Sequence, residues 1–294
     1  MSHGCSSESA KKLFLLIYLL IAGAFHLPAE AGEPPVQPPS YSYLEDTYDF
    51  HTGIFSQQLN TQIAVTRDPS LPGTLIDFES IFGLPDRQNR PWFEFNWRPG
   101  TYSTLRFIYF DTERSGTRSI SKDIRFGEVT FIAPSTVSAF NSARYYWLSY
   151  QYLFLRNVFN EFGISPGVMV ADIKSRLSLQ AAGVNGGTDP GSERNKEVSF
   201  IAPIPLLGLY LSSQFMPRLF LKNTVRVMVV SWGGYAANLF NYSINFEYNP
   251  FKNWGIGTGY SFSRLEITKG FINFNGTFTS ESKGGLLYLK YFFS

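Results

Sequence analysis

The chain of 294 residues is 44% hydrophobic and 17% aromatic but only 16% charged, whereas an average soluble domain is about a quarter charged. Its formal net charge of +2 excludes a strongly basic surface, so composition does not indicate a nucleic-acid partner. After the first 30 residues, no run approaches the roughly 20 apolar residues that a transmembrane helix requires, which argues against a helical membrane protein.

The N-terminal segment has the pattern of a secretory signal peptide. Two lysines precede the apolar run at 13–25, and small residues follow around Ala31. A basic region, a short apolar region and small residues at the cleavage site are the three parts of such a signal. Residues 1–31 are therefore predicted to be removed. Cys5, the single cysteine, lies in this segment, so the mature chain is expected to contain no disulfide.

The next segment, residues 32–58, is rich in proline and polar residues near its start. Such a composition favours an extended, poorly ordered chain, so we predict a periplasmic tether here. The tether would contain His51, the one histidine that remains after the signal is removed. We interpret His51 as an incidental polar residue of this segment.

From about residue 59 onward, side chains alternate between apolar and polar with a period of two, which predicts β-strands. In 239–248, for example, apolar side chains at even positions oppose Asn241, Ser243, Asn245 and Glu247. Residues 76–79 fit either the first hairpin or further strands, so eight and twelve strands are alternatives to ten. The ten predicted strands are 59–67, 91–98, 102–113, 142–154, 160–180, 197–213, 218–232, 237–248, 253–269 and 283–293.

The apolar faces of these strands are rich in Phe, Tyr and Trp near the strand ends, whereas the opposite faces hold glycine, serine, amides and a few charges. Aromatic girdles outside and a polar lumen inside are typical of a transmembrane barrel. The barrel must be closed because an open sheet edge in hydrocarbon would leave backbone groups unsatisfied. We therefore predict an all-β fold, a closed antiparallel transmembrane barrel over residues 59–294.

Short connections alternate with longer polar stretches along the chain, as expected of an outer-membrane barrel with periplasmic turns and extracellular loops. The last strand ends in LLYLKYFFS, which resembles the closing-strand signal that the outer-membrane assembly machinery reads. That resemblance makes the assembly machinery an expected partner during insertion. The residues that carry the signal are Leu287, Leu289, Tyr291 and Phe293.

Three stretches carry a wider resemblance: APIPLLGLYL at 202–211, the hairpin at 241–262 and the closing LLYLKYFF. With the signal segment, they resemble a group of little-characterised outer-membrane β-barrels of Gram-negative bacteria, and more broadly the small barrels of the outer-membrane protein A type. The resemblance implies a location in the outer membrane of a Gram-negative bacterium. It implies no activity and no catalytic residue.

Charged residues on the predicted inner faces are the candidate lumen residues. We expect them either to pair as a structural salt-bridge network, because isolated interior charges are costly, or to line a narrow channel whose slightly basic wall favours anions. Ten strands enclose little open space, so a wide pore is not expected. These residues are Glu94, Arg98, Arg106, Lys222, Arg226, Glu247 and Lys290.

Basic residues in the predicted loop 114–141 suit the phosphates of lipopolysaccharide, since Arg pairs well with phosphate. Membrane lipid and lipopolysaccharide are therefore expected partners, whereas the plainer interpretation is a solvated loop. The candidate contacts are Arg114, Arg118, Lys122 and Arg125.

Enzymatic chemistry has little support in the sequence. Outer-membrane lipid-modifying enzymes and proteases typically depend on histidine, and the single mature histidine lies in the predicted tether. We predict no cofactor and no metal site, because the glycines at 255–259 are followed by no helix and no cysteine survives processing. The favoured interpretation is a non-enzymatic barrel with a structural or surface-interaction role through its loops; the alternatives are a narrow channel and, least favoured, a lipid-modifying enzyme.

Overall fold

A computed structural model describes seven stretches of the chain, residues 46–65, 75–126, 129–157, 159–180, 195–232, 235–268 and 276–293. The predicted signal peptide, 1–31, lies outside the described residues, as does the tether before residue 46. Within these stretches, no helix is long and apolar enough to cross a bilayer.

Ten long antiparallel strands form one closed barrel, which confirms the predicted fold class. Each strand pairs with its neighbours in chain order, and the last pairs with the first, from Tyr48↔Phe293 to Val65↔Gly276. The strands are β1 (Tyr48–Val65), β3 (Arg87–Gly100), β4 (Ser103–Ile120), β7 (Ser135–Arg156), β8 (Asn160–Gln180), β9 (Asn195–Met216), β10 (Leu219–Trp232), β11 (Tyr235–Tyr248), β12 (Trp254–Thr268) and β13 (Gly276–Phe293).

Four short elements lie at the end of the barrel opposite Phe293, which is the extracellular end in the predicted orientation. The pair β2 (Ile76–Asp77) and α1 (Phe78–Phe82) connects β1 to β3, and β5 (Ile124–Phe126) pairs with β6 (Val129–Phe131) between β4 and β7. Asp77 caps α1 by accepting a hydrogen bond from the Ser80 backbone N–H at 2.8 Å.

The first strand begins eleven residues earlier than predicted, so residues 48–58 belong to the barrel and not to a tether. From Tyr48 onward, β1 is paired on both sides, with β13 and with β3. The alternation of Phe50 and Ile54 outside with His51 and Phe55 inside is that of a strand. Thr52 interrupts the outer apolar face between Phe50 and Ile54, which made this part of the period hard to recognise.

The apolar face changes sides partway along the long strands. In the periplasmic part of β13, Leu287 and Leu289 face outward and are 59% and 52% exposed, while Lys290 is fully buried inside. In the extracellular part of the same strand, Lys283 lies exposed on the outer face and Phe278 is buried inside. An outward apolar side chain is stable in hydrocarbon and an outward charge in water, so the change marks where the wall leaves the membrane.

The same reversal occurs in β1, where Phe50 and Ile54 are exposed outside in the periplasmic part and Ile63 is buried inside in the extracellular part. The reversal also explains why several strands are longer than predicted. β4 continues to Ile120 and β13 begins at Gly276, because above the membrane the outer face is polar and no longer looks like a lipid-facing strand.

The extracellular part of the lumen is filled by apolar side chains, so the expectation of a polar lumen holds only in the membrane-spanning part. Phe78 and Phe82 of α1 are fully buried here. The helix approaches β4 closely at Gly116, where an added Cβ would lie 2.6 Å from the Phe82 carbonyl oxygen. Side chains of one contiguous buried cluster include Ile63, Ile76, Phe78, Phe82, Ile124, Phe126, Phe131, Val137, Ile173, Phe200 and Phe278.

The wall is not uniformly paired at its extracellular end. β9 and β10 are hydrogen-bonded only as far as Leu207↔Val227. Above that level, among the described strands, β9 pairs with β8 alone and β10 pairs with β11 alone. A seam therefore divides the upper wall between Asn195–Leu206 and Met228–Trp232.

The reversal can be tested with two arginines on the same face of one strand. We expect Leu289→Arg to lower the free energy of unfolding by up to about 2–4 kcal/mol, because it places a charge in hydrocarbon. Thr279→Arg is also on the outer face of β13 but in its extracellular part. It should change the free energy of unfolding by about 0.5 kcal/mol or less. Urea unfolding in lipid vesicles measures both. If both substitutions lowered the free energy of unfolding equally, they would contradict the assignment of lipid to one part of the outer face of β13 and water to the other.

Candidate functional site

The seven predicted lumen residues all lie on inner faces of their strands, in the membrane-spanning part of the barrel. Arg98 is half-buried near the periplasmic end, and the other six are at most 9% exposed. Alternation places each of them inside because its strand neighbours carry the lipid-facing apolar side chains. The structure brings these six together with residues that sequence reasoning did not select, chiefly Asp49, His51 and Tyr288.

Glu247 is the centre of one half of this lumen cluster. Its carboxylate lies 2.7 Å from Lys222 Nζ and 3.4 Å from Lys290 Nζ, and it accepts a hydrogen bond from Tyr288 Oη at 2.9 Å. All four side chains are at most 5% exposed. One acidic group thus compensates two buried ammonium groups on β10 and β13.

The other half of the cluster is organised around Asn96. Its side-chain amide donates hydrogen bonds to Asp49 at 2.6 Å and to Glu94 at 2.8 Å, and its oxygen accepts one from Arg106 Nε at 2.8 Å. Arg106 Nε also lies 3.3 Å from the Glu94 carboxylate. The guanidinium stands over the Tyr210 ring at 5.2 Å, a favourable cation–π arrangement.

His51 lies between these two halves, which corrects its interpretation as an incidental residue of a tether. Its Nε2 is 2.8 Å from Asp49 Oδ1, and its Nδ1 is 4.0 Å from Glu94 Oε1. The imidazole stacks on the Tyr288 ring, with centroids 5.2 Å apart and planes 5° apart. Its cross-strand neighbours are Lys290 and Glu94. The alternating pattern from Tyr48 was the signal that could have placed it in the lumen.

The lumen cluster borders a cavity of about 80 Å³, which is room for several waters or one small ligand. Its lining divides into an aromatic wall and a hydroxyl and amide wall. The aromatic and apolar side chains are Phe55, Trp92, Ile108, Phe110, Trp147, Tyr210, Leu286 and Tyr288, and the uncharged polar ones include Thr224, Asn241, Ser243, Asn245, Ser261, Ser263 and Ser282.

The predicted lipopolysaccharide contacts do not form one group. Arg114 is 4% exposed and faces the interior, where it binds the Glu79 carboxylate and donates to Thr61 Oγ1 at 2.6 Å. Arg114 therefore holds α1 in place and is not a lipid contact. Because β4 continues past residue 114, strand alternation directs this side chain inward. Arg118 donates to the Ser80 carbonyl at 2.8 Å, Lys122 is exposed and Arg125 is half-buried.

The closing-strand residues Leu287, Leu289, Tyr291 and Phe293 lie on the outer face of β13, each more than a third exposed. No group of three or more His, Cys, Asp or Glu side chains within the described stretches is arranged to hold a metal ion. In the lumen cluster, Lys222, Lys290 and Arg106 each lie beside a carboxylate, and a small cavity borders them.

Removing the central carboxylate tests the pairing. We expect Glu247→Gln to lower the free energy of unfolding by about 3–5 kcal/mol, because Lys222 and Lys290 lose their shared buried counter-charge. Glu281→Gln on the outer face of β13 should change it by about 0.5 kcal/mol or less. Urea unfolding in vesicles again gives the measurement. A small effect of Glu247→Gln would show that the buried lysines do not depend on this carboxylate.

No protein-family model matches the chain, and no curated protein matches it. Among solved structures, the outer membrane protease OmpT from Escherichia coli is similar, with a TM-score of 0.58 and 13% identity over 87% of this chain and 100% of that chain. The translocator domain of the autotransporter NalP from Neisseria meningitidis has a TM-score of 0.45 and 11% identity over 97% of this chain and 96% of its own. By its fold, this chain is a transmembrane β-barrel of the Gram-negative outer-membrane type.

Proposed function

We propose that the protein is a closed, non-enzymatic outer-membrane barrel that acts at the cell surface. It acts through the part of its wall above the apolar belt, which is the membrane-spanning zone where outward side chains are apolar. The observation that carries this proposal is the apolar filling of the extracellular lumen. The filling supports a barrel without a water path, and the projecting wall supports a surface role.

The filling opposes conduction for a simple physical reason. Side chains such as Phe78, Phe126 and Phe278 are at most 1% exposed, so a hydrated path would have to separate packed apolar surfaces and bring water between them. Exposing apolar surface costs about 25 cal/mol per Å². The paired charges below it also support a closed barrel, since each cation at the Glu247 centre has an acidic partner.

The projecting wall supports an interaction outside the membrane. In β1 and β13, the segments 56–65 and 276–285 lie above the belt. At about 3.3 Å per residue and a tilt of about 40°, they extend roughly 25 Å beyond the membrane. The outer face of this region is polar while its interior is packed like that of a soluble barrel. We call this projecting part of the wall, which includes segments 56–65 and 276–285, the collar. A rigid, water-facing surface of this kind is suited to binding partners outside the cell.

His51 gives little support to an enzyme. It is 2% exposed, and both of its nitrogens face carboxylates of Asp49 and Glu94. The hydroxyl of Tyr288, whose ring stacks on the imidazole, donates its hydrogen bond to Glu247. A lipid substrate from the outer leaflet would have to pass the strand wall or the apolar filling to reach the imidazole. These contacts support a role in charge pairing, and the lipid-modifying alternative has the least support.

Planar-bilayer recording separates the closed barrel from the rival, a narrow channel. We expect the purified, refolded chain to give no unitary conductance over a range of voltages and salts, because the extracellular lumen is filled. A general porin inserted into the same bilayer serves as the control for membrane quality. Steady unitary conductance of this protein would contradict the closed barrel and favour the channel.

Surface presentation can be tested by two matched lysine substitutions. Lys122 and Lys252 are both exposed, the first beyond the extracellular end of β4 and the second in the turn between β11 and β12. A membrane-impermeant maleimide should label Lys122→Cys on intact cells, whereas Lys252→Cys should be labelled only after the outer membrane is permeabilised. The opposite pattern would place the projecting collar in the periplasm and remove the basis of a surface role.

A further inference from the structure

Arg226 differs from Lys222, Lys290 and Arg106, each of which lies beside a carboxylate. Its side chain is 4% exposed, and within the described part of the chain no carboxylate lies within salt-bridge distance of it. Its Nη1 donates to Asn241 Oδ1 at 3.0 Å, and its guanidinium lies 5.0 Å from the centre of the Trp147 ring. Its Nε–H is buried without a hydrogen-bond partner.

The charged side chains that line the cavity also include one more cation than carboxylate. Three cations and two carboxylates line it, with Lys222 paired to Glu247 and Arg106 paired to Glu94. Among these five side chains there is one more cation than carboxylate, and Arg226 is the cation that neither carboxylate pairs with. A buried charge without a counter-charge is strongly unfavourable, and neither the Asn241 oxygen nor the Trp147 ring neutralises it.

A second unsatisfied group lies beside it. Trp147 lines the same cavity, and its buried Nε1–H also has no hydrogen-bond partner. Arginine Nε and tryptophan Nε1 are donors only. Both missing partners must therefore be acceptors. A water could accept from either group, but it would leave the positive charge uncompensated.

The backbone also leaves space at this position. Gly208 lies directly across from Arg226 in the β9–β10 ladder, and an added Cβ there would lie 3.2 Å from Arg226 Cγ and 3.2 Å from Ser165 Cβ. The contact is tighter than ordinary van der Waals packing. Glycine at 208 thus allows the long side chain of Arg226 to lie along the wall beside the cavity.

We propose that this cavity is a binding site for a small monovalent anion of the carboxylate type, with Arg226 as the counter-charge and Trp147 as a second donor. A carboxylate accepts several hydrogen bonds and carries the single negative charge that the lining lacks. The volume of about 80 Å³ suits a group of the size of formate. The site is independent of the surface role proposed above, because a closed barrel can hold an anion that it does not transport.

The test uses the full chain refolded in detergent with sodium formate or with the bulky monovalent anion p-toluenesulfonate, at equal ionic strength. A ligand that binds only the folded state stabilises it in proportion to its occupancy. We expect formate, and not the bulky anion, to raise the temperature at which the folded band is lost on a gel, with saturation. Refolding in the presence of the anion removes any delay caused by slow entry.

Two substitutions assign the effect to the site. Trp147→Phe keeps an aromatic ring under the guanidinium but removes the N–H, so the affinity for formate should fall by about two- to tenfold. Arg226→Gln should abolish the formate response. Arg264→Gln removes the same charge from the exposed outer face of β12 and should leave the response unchanged.

Absence of a saturable formate effect in the unmodified chain would overturn the proposal. An effect that persists unchanged in both Trp147→Phe and Arg226→Gln would overturn it as well, since the anion would then bind elsewhere. If Arg226→Gln does not fold, the Trp147→Phe comparison decides, because that substitution removes one hydrogen-bond donor and no charge.

Discussion

One continuous sheet in this protein must meet two solvents, and the rest of the structure follows from that constraint. Backbone hydrogen bonds can be satisfied in hydrocarbon only by closing the sheet, but closure fixes which side chains point inward along the whole strand. Because the solvent outside changes from lipid to water, the apolar side chains must change faces along a strand that cannot rotate. The filled extracellular lumen and the polar periplasmic lumen are two results of the same requirement.

A second constraint acts in the membrane-spanning part, where polar side chains that are excluded from lipid are gathered in a narrow interior. Ten strands leave little space there, so each ionic group must find its partner among a few neighbours. Glu247 and Asn96 solve this for most of the lumen cluster by joining several groups at once. Arg226 is the position at which pairing within the described residues does not complete the balance.

Much of this architecture could be predicted from the sequence because the period of two is strong where lipid defines the outer face. The inward direction of Glu94, Lys222 and Lys290 follows from that period. Ten was the preferred strand number, but residues 76–79 left eight and twelve open, and the closing-strand signal was predicted from a resemblance. The extracellular extensions could not be predicted, because above the belt the alternation is reversed and weaker. Arg114 was misplaced for this reason, since a strand with a polar outer face is easily taken for a loop.

The lumen contacts of His51 depend on distances between β1, β3 and β13 that no local pattern contains. A single sequence places a side chain on a face, but it does not say which of nine other strands presents the opposing group. Asp49 lies two residues before His51 on β1, and Tyr288 stacks on the imidazole from the neighbouring strand β13. Sequence periodicity therefore predicts a lumen residue's direction well and its partners poorly.

Because of the seam above Leu207 and Val227, the collar does not resist local opening equally around its circumference. The segment Asn195–Leu206 is joined to β8 alone, and residues 111–120 of β4 are likewise joined to β7 alone. Local opening begins where backbone bonds are fewest, so the rim is softer at these edges than where a strand has ladders on both sides. The apolar filling behind it is consequently what keeps the two strand edges in place, and the collar's rigidity depends on its interior as much as on its wall.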